Sequence, residues 1–94
     1  MPNLNQKYKL SAQVVSTELD PTEAVLLHLE NHNYYTLNET GWFVWKLIEQ
    51  ELDIREIANK IREEFDVEAE RAEQCVLELI EQLHQENLVE MISN

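Results

Sequence analysis

The apolar residues of this chain change their spacing at Asn38. Before it, short runs of β-forming residues such as Ala24–Leu29 are separated by turn residues, which is typical of β-strands. After it, apolar residues recur every three to four positions, which is typical of amphipathic helices. A chain of 94 residues is long enough for one domain with a modest core. The sequence therefore predicts a single α+β domain over residues 1–94, in which the strands precede the helices.

Three short strands are predicted before Asn38, because three runs of β-forming residues are separated by turn residues. Asparagines in the second turn tolerate the left-handed backbone that tight hairpins need. The predicted elements are a strand from about Val14 to Thr17, a turn at Asp20–Thr22, a strand over Ala24–Leu29 with Val25, Leu27 and Leu29 on one face, a turn at Glu30–Asn33, and a strand over Tyr34–Leu37.

Three helices are predicted after the strands. Asn38 is a favourable N-cap, Asp53 and Glu56 have the spacing of a capping box, and Asn87 suits the left-handed position that follows a helix. The first predicted helix runs from Asn38 to about Glu51, and a short second helix begins at Asp53 and buries Ile54, Ile57, Ala58, Ile61 and Phe65. The third runs from about Ala69 to Glu86, and its apolar arc consists of Ala72, Cys75, Val76, Leu79, Ile80 and Leu83. The residues predicted to fold back onto the core after it are Leu88, Val89, Met91 and Ile92. A three-stranded antiparallel sheet followed by three helices is a winged helix-turn-helix-like arrangement.

The chain is strongly acidic, and the charge is concentrated in its helical half. Residues 1–48 contain three basic and five acidic side chains, whereas residues 49–94 contain four and fourteen, and the formal net charge is −12. On the third predicted helix Arg71 stands alone against five glutamates. Winged helices that bind DNA neutralise phosphates with basic side chains. The charge therefore argues against nucleic acid and anionic membranes as partners.

The sequence indicates a cytoplasmic protein. The segment Met1–Lys7 has no apolar stretch typical of a signal peptide, and no apolar run approaches the roughly 18 residues that span a bilayer. Cys75 is the only cysteine, which excludes an internal disulfide and a zinc site with several thiolates.

No catalytic, metal or cofactor site is predicted. His28 and His32 flank the second turn, and we interpret them as solvated turn residues. Cys75 and His84 lie nine residues apart on the last helix, which turns them about 180° from each other. We interpret Cys75 as a core or flanking residue, His84 as solvated, and the many carboxylates as solvated helix faces. With these functions disfavoured, the sequence leaves peptide recognition at an open sheet edge. The alternative is that the edge is covered by a terminus or by solvent.

The segment Asn33–Ile48 resembles the signature of the PqqD family. Its most specific part is a Tyr-Tyr-x-Leu-Asn-x-Thr-Gly junction between strand and helix, at Tyr34–Gly41, followed by Trp45 on the helix. The junction is physically sensible, because Asn38 caps the helix and Gly41, the only glycine, permits close approach of the helix start to a strand. The resemblance extends over roughly residues 13–89. It departs from the family at the hairpin tip, where Asn31-His32-Asn33 stands in place of a frequent glycine.

The resemblance implies a peptide chaperone, also called a RiPP recognition element, that is not an enzyme and uses no cofactor. Such an adaptor binds the leader of a ribosomally made precursor, as in pyrroloquinoline quinone and lasso-peptide biosynthesis, and presents it to a radical SAM protein or a leader peptidase. The implied cleft between the third strand and third helix comprises Tyr34, Tyr35, Thr36, Leu37, Arg71, Gln74, Cys75, Glu78, Leu79 and Gln82. The alternative is a winged-helix interaction module that forms a homodimer and binds a protein other than a precursor peptide.

Overall fold

The structure is a computed structural model that describes residues 5–92. Two predictions lie partly outside the described residues. They are the domain limits at residues 1 and 94, and the absence of a signal peptide, which concerns Met1–Leu4. The described elements are β1 (Tyr8–Leu10), β2 (Val14–Asp20), β3 (Glu23–His28), β4 (Tyr34–Leu37), α1 (Glu39–Glu49), α2 (Ile54–Phe65), α3 (Ala69–Gln85) and β5 (Val89–Met91). The predicted α+β class, with three adjacent strands followed by three helices, is confirmed.

The main sheet is antiparallel, with the strand order β2-β3-β4. β2 extends three residues beyond the predicted end near Thr17, with an irregularity between Glu18 and Asp20. The predicted turn at Asp20–Thr22 is confirmed, since the main-chain N–H and the hydroxyl of Thr22 each donate to Asp20 Oδ1 over 2.7 Å. At the second turn the left-handed residue is His32, with φ of 59°, and not an asparagine.

A second, two-stranded sheet pairs β1 with β5 and was not predicted. Each strand has three residues, which is too few for an alternation of apolar and polar residues to be recognised. The ring of Tyr8 also contacts His84 edge-on, with 6.0 Å between the ring centroids. This sheet holds both ends of the described chain against α3.

The helix starts follow the predicted capping residues. Asn38 accepts a hydrogen bond from the N–H of Gly41, and Asp53 forms a reciprocal capping box with Glu56. Asn87 is left-handed after α3, as predicted, with φ of 61°. Within residues 5–92, no helix is long and apolar enough to cross a membrane.

The core lies between the inner face of the main sheet and the three helices. Its largest fully buried side chain is Trp45. The covered face of β3 carries Ala24, Leu26 and His28, so the face with Val25, Leu27 and Leu29 is the outer one. The interpretation of His28 as solvated is therefore wrong, since its side chain is 3% exposed.

Two further residues differ from the predicted core. Cys75, placed on the apolar arc of the last helix, is exposed at its flank. Met91 is 51% exposed, whereas Leu88 and Val89 do fold back into the core as predicted. The apolar arc of α3 is thus narrower than the sequence pattern indicates.

Candidate functional site

The outer edge of β4 is open, and the hydrogen-bond pattern shows which of its residues face outwards. The N–H of His28 donates to the carbonyl of Asn33 over 3.0 Å, and the N–H of Leu29 donates to the carbonyl of Gln13 over 2.7 Å. Bonded pairs alternate along an antiparallel ladder, so the even-numbered residues of β3 bond to β4 and the odd-numbered ones to β2. The main-chain groups of Tyr35 and Leu37 therefore point towards β3. Those of Tyr34 and Thr36 point to the open edge.

A groove separates this edge from the C-terminal half of α3. We call it the β4–α3 groove; its volume is about 340 Å³. Its middle is apolar, because Leu37, Leu83 and Leu88 are buried beneath it and Leu79 is half-buried at its side. The lining residues are Tyr34, Tyr35, Thr36, Leu37, Leu79, Gln82, Leu83, Glu86 and Leu88.

The groove continues into a second cavity of about 580 Å³ at the end of β4. The two cavities share Thr36, Leu37, Leu79 and Gln82. The second cavity adds Thr22, Glu23, Asn38, Glu39 and Gly41 to the lining. Together they form a continuous channel that follows the open edge from Tyr34 to the start of α1.

Gly41 allows α1 to begin close to β4. A β-carbon added at this glycine would lie 3.2 Å from Leu37 Cδ2 and 3.3 Å from the capping oxygen of Asn38. Both distances are shorter than ordinary van der Waals contact. The absence of a side chain at Gly41 therefore lets the start of α1 pack closely against Leu37 at the wall of the second cavity, as the sequence predicts.

One hydrogen bond crosses the β4–α3 groove. The phenol of Tyr35 donates to Glu86 Oε2 over 2.9 Å. Tyr35 thereby joins the start of β4 to the residue that caps the C-terminus of α3. Glu86 is held at this end of the groove, with its carboxylate exposed.

The ends of the channel are acidic. Glu23 and Glu39 lie at the end near α1, and Glu86 lies at the other. Hydrogen bonds from the side chain and main chain of Thr22 lower the pKa of Asp20, which keeps a further negative charge beside the first end. The chain's seven lysines and arginines all belong to the described residues, and none lines the channel.

The structure brings six of the ten predicted site residues to the channel. They are Tyr34, Tyr35, Thr36, Leu37, Leu79 and Gln82. The other four, Arg71, Gln74, Cys75 and Glu78, lie nearer the N-terminus of α3 and line neither cavity. Gln74 and Glu78 instead bond to each other over 3.2 Å.

Sequence reasoning missed the lining residues contributed by the C-terminal turn of α3 and by the β2–β3 turn. Glu86 continues the stripe of Leu79 and Gln82 at helical spacing, so the sequence contained a signal for it. Nothing local marked Glu23, which reaches the site through the pairing of β3 with β4.

His28 and His84 line one cavity of about 550 Å³ beside Glu30 and Glu90, and neither His32 nor Cys75 lines it. His28 accepts a hydrogen bond at Nδ1 from the N–H of Glu30 over 3.2 Å, which is a turn contact. Over residues 5–92, no group of three or more histidine, cysteine, aspartate or glutamate side chains has an arrangement that could hold a metal ion.

Comparisons with known proteins identify a matching family and two solved structures with a similar fold. The family described as Coenzyme PQQ synthesis protein D (PqqD) matches residues 23–89. A solved structure of TbiB1 in complex with the TbiA(beta) leader peptide is 31% identical, with a TM-score of 0.83 over 92% of this chain and 99% of that one. A lasso peptide synthetase B1 complexed with the leader peptide is 20% identical, with a TM-score of 0.80 over 88% and 96%, and shows the fold alone. No curated protein matches the chain.

Proposed function

The chain belongs to the PqqD family, and from this membership we propose that it binds the leader segment of a ribosomally synthesised precursor peptide. The leader enters the channel along β4 in an extended conformation and becomes a fourth strand of the main sheet. Strand addition of this kind takes its affinity from main-chain hydrogen bonds and its specificity from side-chain pockets.

The observation that carries this proposal is the open edge of β4 beside an apolar groove. Tyr34 and Thr36 direct their main-chain N–H and C=O groups to the edge, where a peptide backbone would pair with them. Leu79 and Leu83 lie across the groove, where they would contact alternate side chains of the added strand. The 31% identical TbiB1 supports the proposal, because its structure contains a leader peptide.

The chain acts as an adaptor and leaves the chemistry to a partner. It presents the bound leader to a maturation enzyme, which is a leader peptidase in a lasso-peptide pathway or a radical SAM protein in other pathways. Incubating the purified chain with the precursor alone is expected to leave the mass of the peptide unchanged. A modification or cleavage that scales with the concentration of this chain would contradict the adaptor role.

Hydrogen exchange of the main-chain amides tests strand addition. We expect the amides of Tyr34 and Thr36 to exchange quickly in the free chain and to become protected when the cognate leader peptide is added. The amides of Tyr35 and Leu37 already bond to β3, so they should be protected in both states. These neighbours are an internal control for a general change in stability.

Residue-resolved NMR provides this measurement. Protection confined to α1 and α2, with no change at Tyr34 and Thr36, would contradict strand addition. It would favour an interaction module that uses a helical face.

A further inference from the structure

The channel differs in charge along its length. Its middle is apolar, at Leu37, Leu79 and Leu83, and each of its ends carries carboxylates. In the described part of the chain, Glu23, Glu39 and Glu86 are in no salt bridge, and the seven basic side chains lie elsewhere. A peptide that covers these carboxylates removes water from them, which is unfavourable unless the peptide supplies opposite charge.

The spacing of the two acidic ends can be related to an extended peptide. Tyr35, which bonds Glu86, and Asn38, which precedes Glu39, are three residues apart, or about 10 Å along a strand. In an added strand, alternate side chains face the groove, and two that are four positions apart are separated by about 13 Å. Positions two apart would span only about 7 Å and would leave no groove-facing side chain between them for the apolar middle, so the four-position spacing is the one that lets long side chains reach both acidic ends.

We infer that the channel selects a peptide segment with two basic residues four positions apart and an apolar residue midway between them. This inference rests on the proposed function and adds the chemistry of the bound segment. The pattern, basic-x-apolar-x-basic, reads the same in both chain directions, so it holds for a parallel and for an antiparallel added strand. The net charge of −12 also attracts such a segment over a longer range.

The hydrogen bond between Tyr35 and Glu86 orients the carboxylate that would contact one of the two basic residues. The phenol occupies Oε2 of Glu86 and orients the carboxylate across the groove, which leaves Oε1 for a basic side chain of the peptide. Tyr35 is a positioning residue in this arrangement. Tyr35→Phe should weaken the binding of peptides with a basic residue at this end more than the binding of peptides with glutamine there.

Selection from a library of random twelve-residue peptides, displayed in vitro, tests the inference. The full chain is used as bait, and Thr36→Pro, with its fold verified by circular dichroism, serves as the edge-blocked control. We expect peptides that bind the parent and not the control to be enriched in lysine or arginine four positions apart around an apolar residue. Replacing either basic residue by glutamine should weaken binding about two- to fivefold, as for exposed ion pairs.

Charge reversal checks which carboxylate contacts which position. Glu86→Lys should shift the selected preference at one basic position to aspartate or glutamate. The matched control, Glu64→Lys, makes the same change in net charge on α2 away from the channel, and should leave the preference unchanged.

The possible results separate the inference from the proposed function. Edge-dependent peptides with neutral or acidic residues at both positions would overturn the inference and leave strand addition intact. A selection that yields no edge-dependent peptide would overturn both.

Discussion

The indole N–H of Trp42 donates a hydrogen bond of 2.9 Å to Glu18 Oε1. This bond joins α1 to β2, the strand of the main sheet farthest from the groove. The ammonium group of Lys46 lies 5.3 Å from the centre of the same indole ring. Trp42 is 8% exposed, so its N–H depends on this one acceptor.

Glu18→Ala should therefore destabilise the domain by about 1–2 kcal/mol, because it leaves the N–H of a largely buried indole without its acceptor. Glu18→Gln keeps an oxygen at the same position and should cost less than half as much. Urea unfolding of the three proteins measures the difference. Equal stability of the alanine and glutamine variants would show that the bond contributes nothing.

The bond between Glu18 and Trp42 also illustrates what the sequence could not predict. Caps and turns depend on residues within four positions of one another, so Asn38, Asp53 and Asn87 were assigned correctly. Contacts between distant residues have no such local signal. The β1–β5 pairing and the bond from Trp42 to Glu18 are of this kind.

The sequence also could not show which face of β3 is buried. Both faces of this strand are apolar, since Leu26 alternates with Val25 and Leu27. Alternation alone therefore does not show which face meets the helices. The sequence predicts His28 as a solvated turn residue, but it is the last residue of β3 and lies on the covered face.

The candidate site was predictable where one continuous motif contributes to it. Tyr34–Leu37 were named from the junction with α1, and they line the groove. The helical side lacked a motif, and four of its predicted residues, which begin at Arg71, line neither cavity. The crossing contact from Tyr35 to Glu86 establishes which turn of the helix faces the strand.

Trp45→Ala should destabilise the domain by about 3–5 kcal/mol, the usual range for a large aromatic side chain removed from a core. The side chain is 1% exposed. Its indole N–H is buried and has no hydrogen-bond partner among the described residues. Trp45→Phe removes that unpaired group together with some volume, so we expect it to cost less than about 2 kcal/mol. Thermal and urea unfolding compare the two variants, and a loss below about 1 kcal/mol for the alanine variant would contradict burial.

Gly41→Ala should destabilise the domain slightly, by less than about 1 kcal/mol. Alanine favours the helix by about 1 kcal/mol over glycine, but here its β-carbon presses on Leu37 and Asn38. Gly41→Val adds two further methyl groups at the same position and should cost more than about 2 kcal/mol. Unfolding in urea measures both, and a stabilised alanine variant would show that the helix start is free to move away from β4.

Nucleic acid should not bind to this domain. Phosphate contacts are strongest at low salt, so fluorescence anisotropy with labelled DNA and RNA at about 50 mM salt is the most demanding condition. The net charge of −12 predicts no saturable binding at submicromolar concentrations. Saturable binding that weakens as salt is added would contradict this prediction.

A pair of proline variants tests the direction of the main-chain groups in β4. Tyr35 points its N–H into the ladder with β3, opposite Leu26. Tyr35→Pro removes that donor and should destabilise the domain by about 1–3 kcal/mol, with additional loss from the obstructing ring. Thr36 points its N–H to the open edge, where proline is tolerated. Thr36→Pro should leave circular dichroism and the unfolding midpoint close to those of the parent.

The effect of Thr36→Pro should appear in the affinity for the leader and not in the stability of the domain. Thr36→Pro removes an outward donor and places its ring where the leader would pair, so the leader should bind about 1–3 kcal/mol more weakly. Thr36→Ala is the matched control, since it shortens the side chain and keeps the N–H. Calorimetric titration with the leader compares parent, proline and alanine variants. If folded Thr36→Pro binds as tightly as Thr36→Ala, the peptide does not add a strand to β4, and the groove contacts it through side chains alone.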